Sequence, residues 1–215
     1  PESEMPGKWV KVLVAVAALA AMGLGAALVY DRLSAGARRA QGGDTYVGNV
    51  RLRLPPGYAR FPIGRRGGMH DRLDLVAFAP SLQPAGDAAE PRNDLVFITL
   101  TPAEPTVDPA DRPVKLYARF LEEESWSEPS GLLLRRFQAG SPYAFEDLYI
   151  APPEGRAFSA RCTRVREKPD GLPETCLTDL RIGGLDAQLR YAPDLLPQWQ
   201  ALIDSAQRFI GGMIR

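Results

Sequence analysis

One histidine, two cysteines and four lysines are all that the 215 residues contain of those types. With His70 the only imidazole, any histidine-based triad or zinc site must form around it, and its neighbours Met69, Asp71 and Arg72 stand at no catalytic spacing. The nucleophile-elbow pattern G-x-S-x-G, the zinc pattern H-E-x-x-H and the phosphate-loop pattern G-x-x-x-x-G-K-[ST] are missing. Charge of one sign is not in excess either: 26 Lys plus Arg face 26 Asp plus Glu. A general nucleic-acid binder needs a basic surface to displace counterions, so that class is disfavoured. No pair of carboxylates is set apart for general acid and base work. The expectation is a protein without enzymatic activity, cofactor or metal.

What is there begins with an apolar run. Val12 to Tyr30 is 19 residues without a charge, between Lys11 and Asp31, or roughly 28 Å as a helix, near the hydrocarbon thickness of a bilayer. The reading is a cytoplasmic tail over 1–11, a transmembrane helix over 12–30 held in membrane lipid, a linker over 31–43 and a periplasmic domain over 44–215. A cleaved signal peptide ending near Ala35-Gly36-Ala37 is the rival, but the apolar run exceeds a usual signal core. Ala17, Ala21 and Gly25 fall four apart, a small-residue stripe along which two helices pack. Positive charge does not orient the span, since Lys8 and Lys11 precede it and Arg32, Arg38 and Arg39 follow. The cysteines do, by requiring an oxidising compartment. The localisation expected is the bacterial inner membrane.

Within the domain, Val50, Leu52 and Leu54 alternate with Arg51 and Arg53 before Pro55-Pro56-Gly57 ends the strand. Further strands are predicted over Leu73 to Phe78 and Leu95 to Leu100, with an exposed loop from Pro80 to Arg92. Asp111 is placed to cap a helix from Arg112 to about Glu122, with Leu116, Tyr117 and Phe120 on its buried stripe. Ala157 to Val165 and Thr175 to Ile182 read as two strands around the turn Pro169-Asp170-Gly171, followed by Leu185 to Tyr191. From Asp194 a last helix carries Leu195, Trp199, Leu202, Ile203, Ala206, Phe209, Ile210 and Met213 at helical spacing, with Gly211-Gly212 at its end. Strands in runs with two helices set apart give an α+β class: a mostly antiparallel sheet, two packing helices and one hairpin disulfide behind a single transmembrane helix.

Cys162 and Cys176 are equidistant from position 169, the middle of the predicted turn, so they face each other across antiparallel strands at disulfide distance. Arg60, Arg65, Arg66 and Arg72 surround Gly64, Gly67 and Gly68, a loop able to present guanidinium forks and amides to an anion: a lipid headgroup, a phosphate or an acidic partner surface. Arg135 and Arg136 are candidates to extend that patch. Glu122, Glu123 and Glu124 read as a solvated face.

Three stretches, Leu54-Pro55-Pro56-Gly57, Glu146-Asp147-Leu148-Tyr149 and the tail from Leu195 through Trp199 to Ile210, resemble membrane-anchored periplasmic proteins of alphaproteobacteria, whose domains also carry Ala-Arg-Cys and a second Cys before a Trp-containing terminal helix. That resemblance implies an inner-membrane protein and brings no catalytic residues with it. The final strand and helix also resemble small periplasmic immunity proteins against secreted toxins. The expected function is therefore a protein-interaction domain, foremost as an accessory or scaffold subunit of a membrane assembly, with an immunity or inhibitor protein and an anion or ligand sensor as alternatives.

Overall fold

The computed structural model describes residues 44–86, 92–128, 130–164 and 174–215. Alternating apolar positions build its main element, a nine-stranded sheet that is antiparallel throughout. A three-stranded sheet stands beside it, formed by β1 (Thr45–Val47), β2 (Val50–Leu52) and β3 (Gly68–His70) in the order β2-β1-β3. The large sheet takes β4 (Leu73–Phe78), β5 (Gln83–Pro84), β6 (Leu95–Pro102), β7 (Leu121–Ser127), β8 (Leu133–Phe137), β9 (Glu146–Ile150), β10 (Ser159–Thr163), β11 (Cys176–Ile182) and β12 (Leu185–Tyr191). Their order is β5-β4-β6-β12-β11-β10-β9-β8-β7. From β7 to β12 the chain meanders, each strand pairing with the next, and β6 closes against β12.

Side chains on successive residues of a strand point to opposite faces, so one residue in two reaches a given core. On one face, Leu73, Leu75, Val96, Ile98, Leu100, Leu185, Ala187 and Leu189 are all but excluded from water. Against them lies α1 (Trp199–Met213), preceded by a 3₁₀ turn over Pro193–Gln198. Its buried positions Leu202, Ile203, Ala206, Ile210 and Met213 recur at three and four residues and form one stripe. Each fully buried aliphatic side chain contributes about 1.5–3 kcal/mol. Trp199 stacks on Phe158 at 4.9 Å and Phe209 meets Tyr58 at 4.4 Å. Backbone bonds from Arg53 to the Met213 carbonyl and from Arg215 to the Arg51 carbonyl fasten the helix end to β2.

The opposite face is covered at the other end of the sheet. The connection from β6 to β7 crosses from mid-sheet to the far edge through short turns at Pro109–Asp111, Pro113–Tyr117 and Ala118–Phe120. Tyr117 then packs into a second core with Leu121, Phe137, Leu148 and Ile150. Its ring lies 5.9 Å from Phe137 and 5.3 Å from Tyr143, both edge to face, the arrangement that aromatic quadrupoles favour.

These elements correct the expected fold class. The helix expected over Arg112 to Glu122 is two short turns, Pro113–Tyr117 and Ala118–Phe120, followed by a strand. Leu121 pairs with Phe137 instead of continuing a helix, and Asp108, not Asp111, caps the first turn by accepting from the Ala110 amide. Burial of Tyr117 and strand pairing of Leu121 outweigh local helix preference. Among the described residues no helix is long and apolar enough to cross a membrane. The one α-helix among them has 15 residues and a polar face, and serves as packing for the sheet. The membrane span predicted over 12–30, with Ala17, Ala21 and Gly25, lies outside the described residues, as do the linker and the turn at Pro169-Asp170-Gly171. The expected inner-membrane location is corrected to this extent: among the described residues no helix is long and apolar enough to cross a membrane.

Strands legible as alternation sit close to where they were expected. Leu73–Phe78 is β4 to the residue, and β6 runs two residues past Leu100. Gly211 and Gly212 do not end the last helix but lie inside its final turn, which ends at Met213.

Candidate docking surface

Because the two faces are covered at opposite ends, the outward face of β4, β6 and β12 is left open among the described residues, with the turn at Pro109–Asp111 and Arg112 packed over β11. Cross-strand register aligns Asp74, Thr99, Gln188 and Asp179 in one row, and Thr101, Asp186 and Arg181 in the next. Every residue of these rows is polar, in strands whose alternate residues form the core. Thr99 Oγ1 donates to Asp74 Oδ1 at 2.8 Å, and Gln188 Nε2 donates to Asp179 Oδ1 at 3.1 Å. Arg112, brought in by the crossing connection, donates to Asp179 Oδ2 at 2.6 Å. Arg181 holds Asp186 with two bonds, at 2.7 and 2.9 Å, the bidentate geometry that fits guanidinium to carboxylate. Of these, Thr99, Thr101, Arg112, Asp179, Asp186 and Gln188 line an open depression of about 300 Å³.

Burial works to raise the Asp186 carboxyl, but the Arg181 fork, the Glu104 amide and the nearby charges of Arg181 and Arg112 hold it below its ordinary value. Asp186 is thus held in its charged form by arginine, and Asp74 and Asp179 are engaged by Arg72 and Arg112. Among the described residues no group of three or more histidines, cysteines or carboxylates is arranged to hold a metal ion. Chemically, the face is suited to exchange its ion pairs and amide contacts with another surface.

The loop from Arg60 to Arg72 borders this face. Its stem is an extension of the sheet: the Arg60 amide donates to the Asp74 carbonyl, the Val76 amide donates to the Tyr58 carbonyl, and Ala59 bridges Leu75. Pro62–Arg65 form a 3₁₀ turn closed by the Gly64 and Arg66 amides. Gly64 is buried where a Cβ would stand 3.1 Å from Leu73 Cδ1, a close approach, and Gly68 has φ +129°, a conformation that favours glycine. The Arg60 guanidinium lies 5.1 Å from the Phe61 ring and 4.6 Å from that of Phe97 on the open face. It joins loop and sheet into one surface.

The candidate anion-binding arginines are therefore placed as follows. Arg60 is sandwiched between two rings, and Arg72 donates to Asp74 at 2.9 Å. Arg65 and Arg66 lie on the 3₁₀ turn and just beyond it. Arg135 and Arg136 do not extend this patch. They lie on β8, six strand positions from β4 and on the order of 25–30 Å away, where Arg135 bonds the Glu122 carbonyl and Arg136 covers Trp126 at 5.0 Å. His70 Nε2 is 3.1 Å from the Arg66 carbonyl, a local contact. The Glu122–Glu124 run lies on edge strand β7, where charge deters pairing with another chain.

The sulfurs of Cys162 and Cys176 are bonded at 2.04 Å, and the two residues are register partners of β10 and β11. Both are buried. The bond is a structural crosslink beside Tyr191, whose hydroxyl shares a 2.8 Å hydrogen bond with Thr178.

What sequence reasoning missed is the apolar half of the loop. Phe61 and Ile63, on the hydrogen-bonded turn, are 44% and 66% exposed, and Met69, on β3, is 80% exposed. Their signal was present as apolar residues between arginines and glycines, with no period linking them to a core.

This architecture has a solved counterpart. The chain is similar in fold to a bacterial immunity protein. The structure in question is an immunity protein of the Stenotrophomonas maltophilia type IV secretion system, matched with a TM-score of 0.57 at 14% sequence identity over 82% of this chain and 94% of that one. No family model and no curated protein sequence matches the chain.

Proposed function

We propose that the protein is an immunity-type inhibitor: it binds a toxin protein and blocks it, acting as a binding partner and not as a catalyst. The observation that carries this reading is the fold shared with an immunity protein over nearly the whole of that protein's length. The surface agrees with it. An open sheet face of ion-paired side chains beside an exposed apolar loop offers polar rim and apolar anchor together, the composition of protein interfaces. The buried disulfide fits work in an oxidising compartment, where toxins are met outside the cytoplasm. A scaffold role in a membrane assembly finds no support in these features.

The reading is tested genetically. It requires a secreted-toxin gene beside this chain's own gene, and deletion of the chain must kill or arrest cells only while that toxin gene is intact. Cells that tolerate the deletion beside an active toxin would overturn it.

A further inference from the structure

We infer that the segment carrying Phe61 and Ile63 on its 3₁₀ turn and Met69 on β3 is the principal anchor of the partner contact, and that the partner is a folded protein presenting an apolar socket rimmed by carboxylates. This deepens the immunity reading and rests on it.

Single apolar residues on a surface are ordinary, but three on one short loop, each more than two-fifths exposed, are a patch. The segment that bears them is fixed by the Gly64, Arg66 and Gly68 amides, which reach the carbonyls of Phe61, Ile63 and Asp44. Leu73 and Ala59 pack beneath Gly64. A backbone so held, with apolar side chains turned to solvent, is already ordered before binding. Little conformational entropy is then lost on docking, which is how preorganised contacts gain affinity. Aromatic, methionine and arginine side chains are the types enriched at interface centres.

Charge complementarity defines the socket. Residues 60–72 hold four arginines against one carboxylate, Asp71, so the matching rim is acidic. A lipid surface would answer the same apolar and cationic pattern, yet the adjoining wall is ion-paired, Arg72 with Asp74, Arg112 with Asp179 and Arg181 with Asp186, and adds no net attraction for anionic headgroups. A protein surface of mixed charge accommodates both. Trp126, 39% exposed at the far edge of the sheet, is the competing anchor.

The test uses the full chain and, as probe, the purified product of the adjacent toxin gene. Affinity is measured for Ile63→Asp, Met69→Asp, the double variant Arg65→Glu/Arg66→Glu and Trp126→Ala. Each loop aspartate is expected to weaken binding by about 30-fold or more, the scale of an interface hot spot. The arginine reversal is expected to slow association about tenfold and to flatten its salt dependence. Trp126→Ala is expected to bind as the wild type. Hydrogen exchange on the unmutated complex serves as a second measurement, with amides 61–70 expected to gain protection.

Wild-type affinity retained within about threefold by all loop variants, or a loss confined to Trp126→Ala, would overturn the anchor assignment while leaving the immunity reading in place. No binding by the wild type would overturn both. Loop-dependent sedimentation with phosphatidylglycerol vesicles, without loop-dependent toxin binding, would assign the turn to a lipid surface and overturn the inference.

Discussion

Removing the Cys162–Cys176 bridge with the double substitution Cys162→Ala/Cys176→Ala changes stability by an amount that follows from chain length. The bond closes a loop with a sequence separation of 14. In the loop-entropy treatment a ring of about 15 residues costs the unfolded chain about 10 cal/mol/K, or about 3 kcal/mol at 25 °C. Cys162 and Cys176 are 4% and 0% exposed and lie in the main core, so truncation to Ala adds a small packing loss of the same sign. For a unit of this size, about 3 kcal/mol lowers the melting midpoint by roughly 6–12 °C. The assay is urea unfolding of oxidised wild type and double variant at equal pH, fitted for both midpoint and slope. Because the bridge acts on the unfolded ensemble, the variant should also show a larger slope. A loss below about 1 kcal/mol with unchanged slope would refute the reasoning and place the two strands under other control.

Three further outcomes follow from named contacts. Tyr191→Phe strips the buried Thr178 hydroxyl of its partner and is expected to cost about 1–3 kcal/mol, while the double variant Tyr191→Phe/Thr178→Val restores most of it, read by chemical denaturation. Asp186, held below its ordinary value of 3.8 when folded, stabilises the fold above that pH and loses the contribution as pH falls through the lower folded value. Asp186→Asn is accordingly expected to be less stable than wild type by about 1–3 kcal/mol at pH 7, with the gap closing below pH 3.8, in melts recorded across pH. Ile210→Ala, at a fully buried position of α1, is expected to cost about 2–5 kcal/mol in the same unfolding assay.

Elements whose residues alternate cleanly could be read from sequence because each strand shows a buried set at period two: Leu73, Leu75 and Ala77 in β4, or Leu185, Ala187 and Leu189 in β12. The cysteine pairing was legible for a related reason, since a hairpin sets its own register. β7 escaped because Leu-Glu-Glu-Glu-Ser-Trp-Ser has only two apolar positions, and an edge strand needs no more than one buried face. β1 and β3 are three residues long and are held by pairing, β1 with both β2 and β3. The false helix at Arg112 arose because Pro113, Leu116, Tyr117 and Phe120 satisfy a helical stripe locally, whereas the aromatic contacts of Tyr117 with Phe137 and Tyr143 join residues 20 and 26 positions apart. The loop arginines were visible as a cluster. The open face was not, because its rows draw Asp74, Thr99, Asp179 and Gln188 from four strands whose order no local pattern specifies.

Neutralisation of a toxin by direct binding is the proposed function. The most direct measurement titrates the purified, active product of the adjacent toxin gene with the full chain and follows the toxin's own activity. The account predicts a fall to background as the chain reaches one equivalent. Activity undiminished at a large excess of folded, disulfide-bonded chain would contradict it.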